Sequence, residues 1–499
     1  MDRSPAAAAP TTTVKTCWGW MPAATQLKAR DRPMAGCELH GHPDDWFRGR
    51  RVTVMGLGQF GGGLGVVRWL HSVGARVLIT DLAAKEKLSS SLAPISEAIS
   101  DGSITLRLGS HAQSDFESAD LVIANAAVPR PWENPFLNAA RAAGVGITCE
   151  IRLAIERLGS TRIVGISGSA GKSTTTAMTV QALCASGRAA RFGGNIGGSL
   201  LGSPATSARE WTVLELSSAQ LWWLSTASGS PGWSPTIGAL TNIAPNHIDW
   251  HTSLTHYADS KAQLRRSQSK EDRFLSFFAE EDPGQASRIA QSCSTGAWWA
   301  NGAKPTVPDA NTITLSIPGA HQQRNARLAL AITLLCAEVD GEDANLDAAR
   351  RALASFGGLE HRLQSLGTIE GVRCYNDSKA TTPEATKLAV AAFEDSTRIH
   401  LIVGGYDKKV DLSSIRDLAP QLAGLYAIGQ TAPALAPSPP AMRFCGLSEA
   451  VACAFSRAKS GDILLLSPGC ASWDQFTNFE ERGRLFGELV RARATVNQC

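Results

Sequence analysis

No stretch of this 499-residue chain stays apolar for the roughly 20 residues that a membrane-crossing helix needs. An excess of charge of one sign is missing too. The 48 Lys and Arg are set against 45 Asp and Glu, leaving a formal net charge of +3, and no long basic cluster occurs. Nucleic acid as the main partner would call for such a cluster, so the balance argues against it. The 11 Cys form no CxxC pair and no finger spacing, which speaks against a secreted disulfide framework and makes a reducing cytoplasm the expected compartment. No repeat of solenoid length is visible. Before Arg50 there is no helix or strand period. The opening MDRSPAAAAPTTTVK is low in complexity and lacks the apolar core of a secretory signal, so residues 1–49 are expected to be a disordered extension.

What is present is ordinary for a globular protein. Hydrophobic residues make up 43% of the chain, and its length exceeds what one core organises, so two to four domains are expected. Three α/β blocks follow one another. RVTVMGLGQFGGGLGVVRWL, RVLITD, ADLVIANAAVP and GVGITCE carry the first, a strand–turn–helix followed by further strands. The second opens with the strand TRIVGI and continues through the strands WTVLELSS and TIGALTNIA. A helical stretch from Leu254 to about Gln268 follows, then the helix NARLALAITLLCAEV and a helical pattern near Ala344–Ser355. After GGLEHR, the strands VRCYND, RIHLIVGG, GLYAIG and DILLLSPG alternate with helical patterns that include PEATKLAVAAF and FEERGRLFGELVRARA. Alternation of this kind implies mainly parallel sheets flanked by helices, with ligands at the C-terminal ends of the strands.

Two glycine turns fall at such ends. In the first, Gly56, Gly58 and Gly61 have GxGxxG spacing, and Asp81 ends the next strand, where an acidic residue meets a ribose hydroxyl. This turn suits NAD, any other nucleoside diphosphate, or no ligand at all. The second, GISGSAGKSTTT (residues 165–176), carries more information. Its amides and the following helix N-terminus favour phosphate, with Gly168 and Gly171 shaping the loop. Lys172 would reach the outer phosphates, and Ser173 would sit where Mg²⁺ binds. Phosphoryl transfer needs a metal, and acidic partners are at hand: Glu215 ends the strand WTVLE, while His247 and Asp249 follow the strand TIGAL. Mg²⁺ prefers oxygen, so His247 is an unusual ligand, and Asp249 could instead orient its ring. Lys261, by residue type alone, reads as a solvated helix residue.

Together these pieces resemble the Mur ligases, the ATP-dependent amide-forming enzymes of peptidoglycan precursor synthesis. The resemblance spans about residues 50–493. It rests on GSAGKST, GGNIGGSL, LELSSAQL, TNIAPNHID, YADSK, PGAHQQRNARLA, LEHRLQ, YNDSKATTPEAT, GGYDKKVDL and SPGCASWDQFTNFEERG in family order. YNDSKAT and SPGCASWDQF most resemble the branch that adds D-glutamate to UDP-N-acetylmuramoyl-L-alanine. The resemblance implies a Rossmann-like UDP-binding domain (50–151), a central P-loop ATPase domain with a mainly parallel sheet (152–358) and a Rossmann-like amino-acid-binding domain (359–499). It implies a cytoplasmic enzyme, with a monomer expected, that phosphorylates the substrate carboxylate and lets the amine attack the acyl phosphate.

The residue roles it implies are specific. Lys172 stabilises the β- and γ-phosphates, with Gly168, Gly171, Ser173 and Thr174 around them. Glu215 and His247 hold the two expected Mg²⁺ ions. Lys261 joins them as a carbamate, a change that turns a cation into an anion. Asn195 lies near the reacting acyl group. Asn325 meets adenine, and Arg362 and Asp377 reach ATP from the third domain. Lys379, Thr381, Lys408, Ser472 and Phe479 form the D-glutamate pocket, whose lysines and hydroxyls suit a dicarboxylate. Gly58, Gly61 and Asp81 serve UDP. The chain departs from the family pattern at Ala170 (usually Asn), at Gln322 (usually Asn), in NAAVPRPWENP, and in GLGQFGGG, which lacks the usual hydroxyl residue. Other readings stay open at this point: another Mur step or a folylpolyglutamate-type ligase, an NAD-dependent oxidoreductase fused to an ATPase, and a binding protein without turnover.

Overall fold

A computed structural model describes residues 42–58, 62–196, 198–204, 206–244, 246–276, 313–407 and 410–496. The chain forms two compact units. One takes the described residues through Ser169 together with Arg191–Phe274, and the other takes Ala170–Ala190 and the described residues after 312.

The first unit holds two sheets. β1 (Arg51–Met55), β2 (Arg76–Asp81), β3 (Ile104–Leu108), β4 (Leu121–Ala124) and β5 (Gly146–Thr148) lie in the order β3-β2-β1-β4-β5, with every neighbouring pair parallel. β6 (Ile163–Ser167), β7 (Ala190–Gly194), β8 (Trp211–Glu215), β9 (Ile237–Leu240) and β10 (Arg273–Ser276) form the second sheet, ordered β10-β9-β6-β8-β7, and β6 is parallel to both β8 and β9. β6, β8 and β9 are buried along their whole length, which explains why they read as mostly apolar runs rather than as alternation. One apolar core runs from Met55, Phe116 and Ile147 of the first sheet's layer to Leu214, Leu221 and Tyr257 of the second's.

Folded structure begins ahead of Arg50. Asp44–Phe47 form a short 3-10 turn, and Phe47 is fully buried in the core with Val52 and Trp69. Burying a phenylalanine is worth about 1.5–3 kcal/mol, enough to hold this turn down. Arg157 reinforces it, pairing with Asp44 at 2.8 Å and lying 4.3 Å from the centroid of the Trp69 ring. Residues 42–49 therefore belong to the first unit and not to an extension, which corrects the expected boundary at 49. Residues 1–41 lie outside the described chain.

In the second unit, the helix Lys172–Ala185 packs on the helices Ala320–Asp340 and Leu346–Ala354 through Met178, Ala182, Ala326, Leu330 and Leu353. The unit's sheet comprises β11 (Gln364–Ile369), β12 (Val372–Asn376), β13 (Ile399–Gly404), β14 (Gly424–Ile428), β15 (Met442–Phe444) and β16 (Ile463–Leu466), ordered β11-β12-β16-β13-β14-β15. All neighbouring pairs are parallel except the β11–β12 hairpin. The helix Pro383–Val390 starts where expected, with proline in its first turn and the Thr382 hydroxyl accepting from the Ala385 amide. Among the described residues, no helix is long and apolar enough to cross a membrane.

Candidate active site

In the first unit, the candidate residues gather at the C-terminal ends of β6, β8 and β9. Ser253 caps the helix Leu254–Arg266 by accepting from the His256 amide. The buried face of that helix carries Tyr257, Ala258, Lys261, Ala262 and Leu264, so Lys261 is 1% exposed and not solvated. Its ammonium donates to Ser167 Oγ at 3.1 Å and to the Gly168 carbonyl at 3.0 Å, and lies 4.6 Å from the centroid of the Tyr257 ring. A lysine is buried at this cost only where polar groups receive it. Here the receiving groups belong to the glycine loop itself.

Beside it, Glu215 ends β8 at 2% exposure. Asn195 is bound to it twice. Its amide N–H donates to the Glu215 carbonyl at 2.8 Å, and its side-chain Nδ2 donates to Oε1 at 2.9 Å. Glu215 Oε2 is buried without a hydrogen-bond partner. A buried carboxylate oxygen in that condition is costly and matches the place of a cation. Mg²⁺ is held through one or two carboxylates, waters and substrate phosphates, not through a cage of side chains. The donor set therefore fits Mg²⁺.

His247 stands in the left-handed region (φ 52°) as the cap of the short helix Ile248–His251, exposed like Asp249. The structure does not bury it against Glu215. Four residues on, His251 is fully buried, bonded to Ser218 Oγ at 2.8 Å and His256 Nδ1 at 3.0 Å. Burial, with His256, Lys261 and His247 opposing its charged form through space, pushes its pKa down to about 3, so it stays neutral. Ser169 is a further member that the motif did not single out. Its Oγ bonds Tyr257 OH at 2.8 Å, donates to the Ala244 carbonyl at 2.9 Å and accepts from the Ala244 amide at 2.8 Å, bracing the loop against the turn after β9. Gly168 (φ 151°) allows the loop's close approach, since a Cβ there would run into Thr241 Oγ1.

In the second unit, Gly171 (φ 81°) caps the helix that starts at Lys172, and a Cβ on it would lie 2.6 Å from Asn325 Oδ1. The free amides of that helix N-terminus make an anion site. Lys172 and Thr174 are half-buried and Ser173 is buried in its first turn. Asn325 is brought to the loop, and its Nδ2 donates to Gln322 Oε1 at 3.1 Å, so the glutamine that replaces the usual Asn positions it.

At the ends of β12 and β16, Asp377 Oδ1 accepts from the Leu363 amide at 3.1 Å and Oδ2 from Ser467 Oγ at 2.8 Å. Burial pushes its carboxyl up to about 7, against the pull of those two bonds and of Arg362. Lys379 Nζ lies 4.9 Å from the centroid of the Phe479 ring. Thr381 follows Ala380, whose carbonyl accepts from the Gly469 amide at 2.9 Å, and Ser472 follows Ala471, whose carbonyl accepts from Tyr406 at 2.8 Å. Lys408 lies outside the described residues, as does Gly61. In the first glycine turn, Asp81 accepts from the amides of Leu57, Gly58 and Ala83, at 2.9, 3.3 and 2.8 Å, and so ties β2 to the turn.

Residues 166–333 match the family described as the Mur ligase middle domain, and residues 361–470 match the Mur ligase, glutamate ligase domain. A UDP-N-acetylmuramoylalanine–D-glutamate ligase from Anaeromyxobacter dehalogenans is 35% identical over 489 residues, covering 90% of this chain and 98% of the relative. The protein of the same name from Streptococcus suis is 33% identical over 466 residues, covering 89% and 97%. Among solved structures, a UDP-N-acetylmuramate–alanine ligase from Thermotoga maritima aligns over 89% of this chain and 99% of its own, with TM-score 0.51 at 17% identity, a likeness of fold.

Proposed function

We infer the reaction from one premise: this chain belongs to the Mur ligase family. It is an ATP-dependent ligase that forms an amide between an acid and an amino acid. We propose that the acid is UDP-N-acetylmuramoyl-L-alanine, the amine D-glutamate and the setting cytoplasmic peptidoglycan precursor synthesis. One observation carries this reading. Relatives that the chain matches almost end to end, at 31–35% identity, share the name UDP-N-acetylmuramoylalanine–D-glutamate ligase. The divisions after residue 151 and after residue 358 are supported by the sheets, since each of the three falls within one of the segments so bounded. In the first of them, a nucleotide would lie across the strand ends where the order reverses between β1 and β4.

The chain's own residues suit the chemistry. A carboxylate is a poor acyl donor because its oxygen leaves poorly, and phosphorylation makes that oxygen a good leaving group. Lys172 and the amides that open its helix would hold the β- and γ-phosphates, with Ser173 and Thr174 beside them. Bound Mg²⁺ would neutralise phosphate charge, held by Ser173, Glu215 and His247, with Lys261 joining them as a carbamate. Asn195, already fixed on Glu215, would present itself to the acyl group. Lys261 is buried, with its amine held at Ser167 Oγ and the Gly168 carbonyl. As the free amine it could add CO₂, forming an N–C bond and releasing one proton, and the carbamate would then face the ions. Asn325 would meet adenine, with Arg362 and Asp377 reaching ATP. Lys379, Thr381, Lys408, Ser472 and Phe479 would receive D-glutamate, and Gly58, Gly61 and Asp81 the UDP.

Phosphate release by the purified protein, measured over a panel of UDP-muramoyl acids and amino acids, tests the assignment. Release that requires UDP-N-acetylmuramoyl-L-alanine and D-glutamate together is expected. Preference for a different amino acid would move the chain to another branch.

A further inference from the structure

Arg482 is fully buried, in the first turns of the helix Phe479–Val496. Its guanidinium has five N–H donors, and the structure gives all five an acceptor. Nε donates to Ser378 Oγ at 3.0 Å and Nη2 to the Ser378 carbonyl at 2.8 Å. Nη1 and Nη2 both donate to the Cys470 carbonyl at 3.2 Å, and Nη1 also reaches the Gly404 carbonyl at 3.5 Å. Every one of these partners is a neutral oxygen. Burial draws the guanidinium's pKa down to about 10, with Asp474 opposing through space, so the charge persists at neutral pH.

The three acceptor residues stand at the starts of three loops. Ser378 is followed by Lys379 and Thr381, Gly404 by Gly405 and Tyr406, and Cys470 by Ser472. Ser378 Oγ in turn donates to the Phe479 carbonyl at 2.8 Å, closing the ring back onto Arg482's own helix. A Cβ on Gly405 would run into the Ala471 carbonyl, so two of these loops already touch beneath the clamp. We propose that Arg482 is a positioning residue for the amino-acid substrate: one guanidinium fork sets the spacing of the loops that carry Lys379, Thr381 and Ser472. Its buried positive charge, with no carboxylate in contact among the described residues, also favours a dicarboxylate nearby. This role rests on the amino-acid pocket proposed above.

The test is steady-state phosphate release by the full-length protein with ATP, UDP-N-acetylmuramoyl-L-alanine and D-glutamate. Wild type, Arg482→Lys, Arg482→Met and Ser378→Ala are compared. Lysine keeps the charge but loses the planar fork. In Arg482→Lys the KM for D-glutamate is expected to rise about tenfold or more, while the KM for ATP and for the UDP substrate stays within about twofold. Arg482→Met, which loses charge as well, goes further in the same direction. Ser378→Ala removes only the hydroxyl link and gives the same split at smaller size. Should the Arg482 variants melt early and lose their helical signal, Ser378→Ala decides the matter alone. A folded variant with an unchanged KM for D-glutamate, or with all KM values moving together, overturns the positioning role. If the wild type shows no D-glutamate-dependent release, the substrate reading fails instead. The same KM comparison then runs with the amino acid that does support release.

Discussion

Asp377 trades stability for charge, and the trade can be measured. Its carboxyl is moved from an ordinary 3.8 up to about 7, chiefly by burial. The folded protein therefore binds a proton that the unfolded chain releases throughout that interval. Stability is fully present below the unfolded value, falls as pH rises, and is flat above about 7. The full shift corresponds to about 4 kcal/mol, of which about 2 kcal/mol falls between about pH 5.5 and pH 8. The residue keeps partial exposure, so about 1–2 kcal/mol is the working expectation in that range. Asp377→Asn cannot titrate. Its Oδ1 can still accept from the Leu363 amide, and Ser467 can rotate its hydroxyl to accept from the new Nδ2. Urea unfolding of wild type and variant at both pH values isolates the term, because every other titrating group cancels in the difference. The variant should gain on wild type by about 1–2 kcal/mol on going to the higher pH. At the same time it should lower ATP-dependent phosphate release, since an amide cannot supply the carboxylate proposed to reach ATP. A constant difference across pH, or a gain at the lower pH, would refute the placement of this carboxyl.

Gly171→Ala should destabilise by about 1–3 kcal/mol, because alanine resists the left-handed backbone and its Cβ meets Asn325; thermal unfolding with and without ATP checks both the loss and the weakened nucleotide effect. Glu215→Gln keeps an oxygen for Asn195 yet removes the charge around the unpartnered Oε2, so phosphate release should fall at least about tenfold and the Mg²⁺ concentration for half-activity should rise. Lys261→Met leaves Ser167 Oγ and the Gly168 carbonyl without its ammonium and should lower release at least about a hundredfold, while isotopically labelled bicarbonate should mark wild type and not the variant. Trp132→Ala opens a cluster in which that half-buried ring lies 4.5 Å from His256 and 5.3 Å from Trp222, and should cost about 1–3 kcal/mol in chemical denaturation.

Much of the fold was legible because its central strands are mostly apolar and buried throughout. β6, β8, β13 and β16 are buried on both faces and announce themselves as mostly apolar runs. β3 (ITLRL), β7 (ARFGG) and β15 (MRF) did not, since partly exposed and short strands leave little pattern. The glycine loop and its lysine were readable from spacing, because phosphate binding constrains backbone and residue type together. Burial of single charges was not. Lys261 and Arg482 sit in the polar-looking runs YADSKAQLRR and FEERGR, which read as solvated helix faces; only the neighbouring strand ends, distant in sequence, supply the carbonyls and hydroxyls that receive them. The brace from Ser169 to Tyr257 was hidden for the same reason, as its partners are separated by 88 positions. The folded start at Asp44 was missed because one phenylalanine, and no periodic run, anchors it.

The central claim is that this enzyme passes the terminal phosphoryl group of ATP to a substrate carboxylate before the amide bond is made. Heavy oxygen placed in the carboxylate of UDP-N-acetylmuramoyl-L-alanine, followed by mass analysis of the phosphate formed in a complete reaction, tests it most directly. One labelled oxygen should appear in each phosphate released; phosphate free of label, alongside normal product formation, would contradict the account.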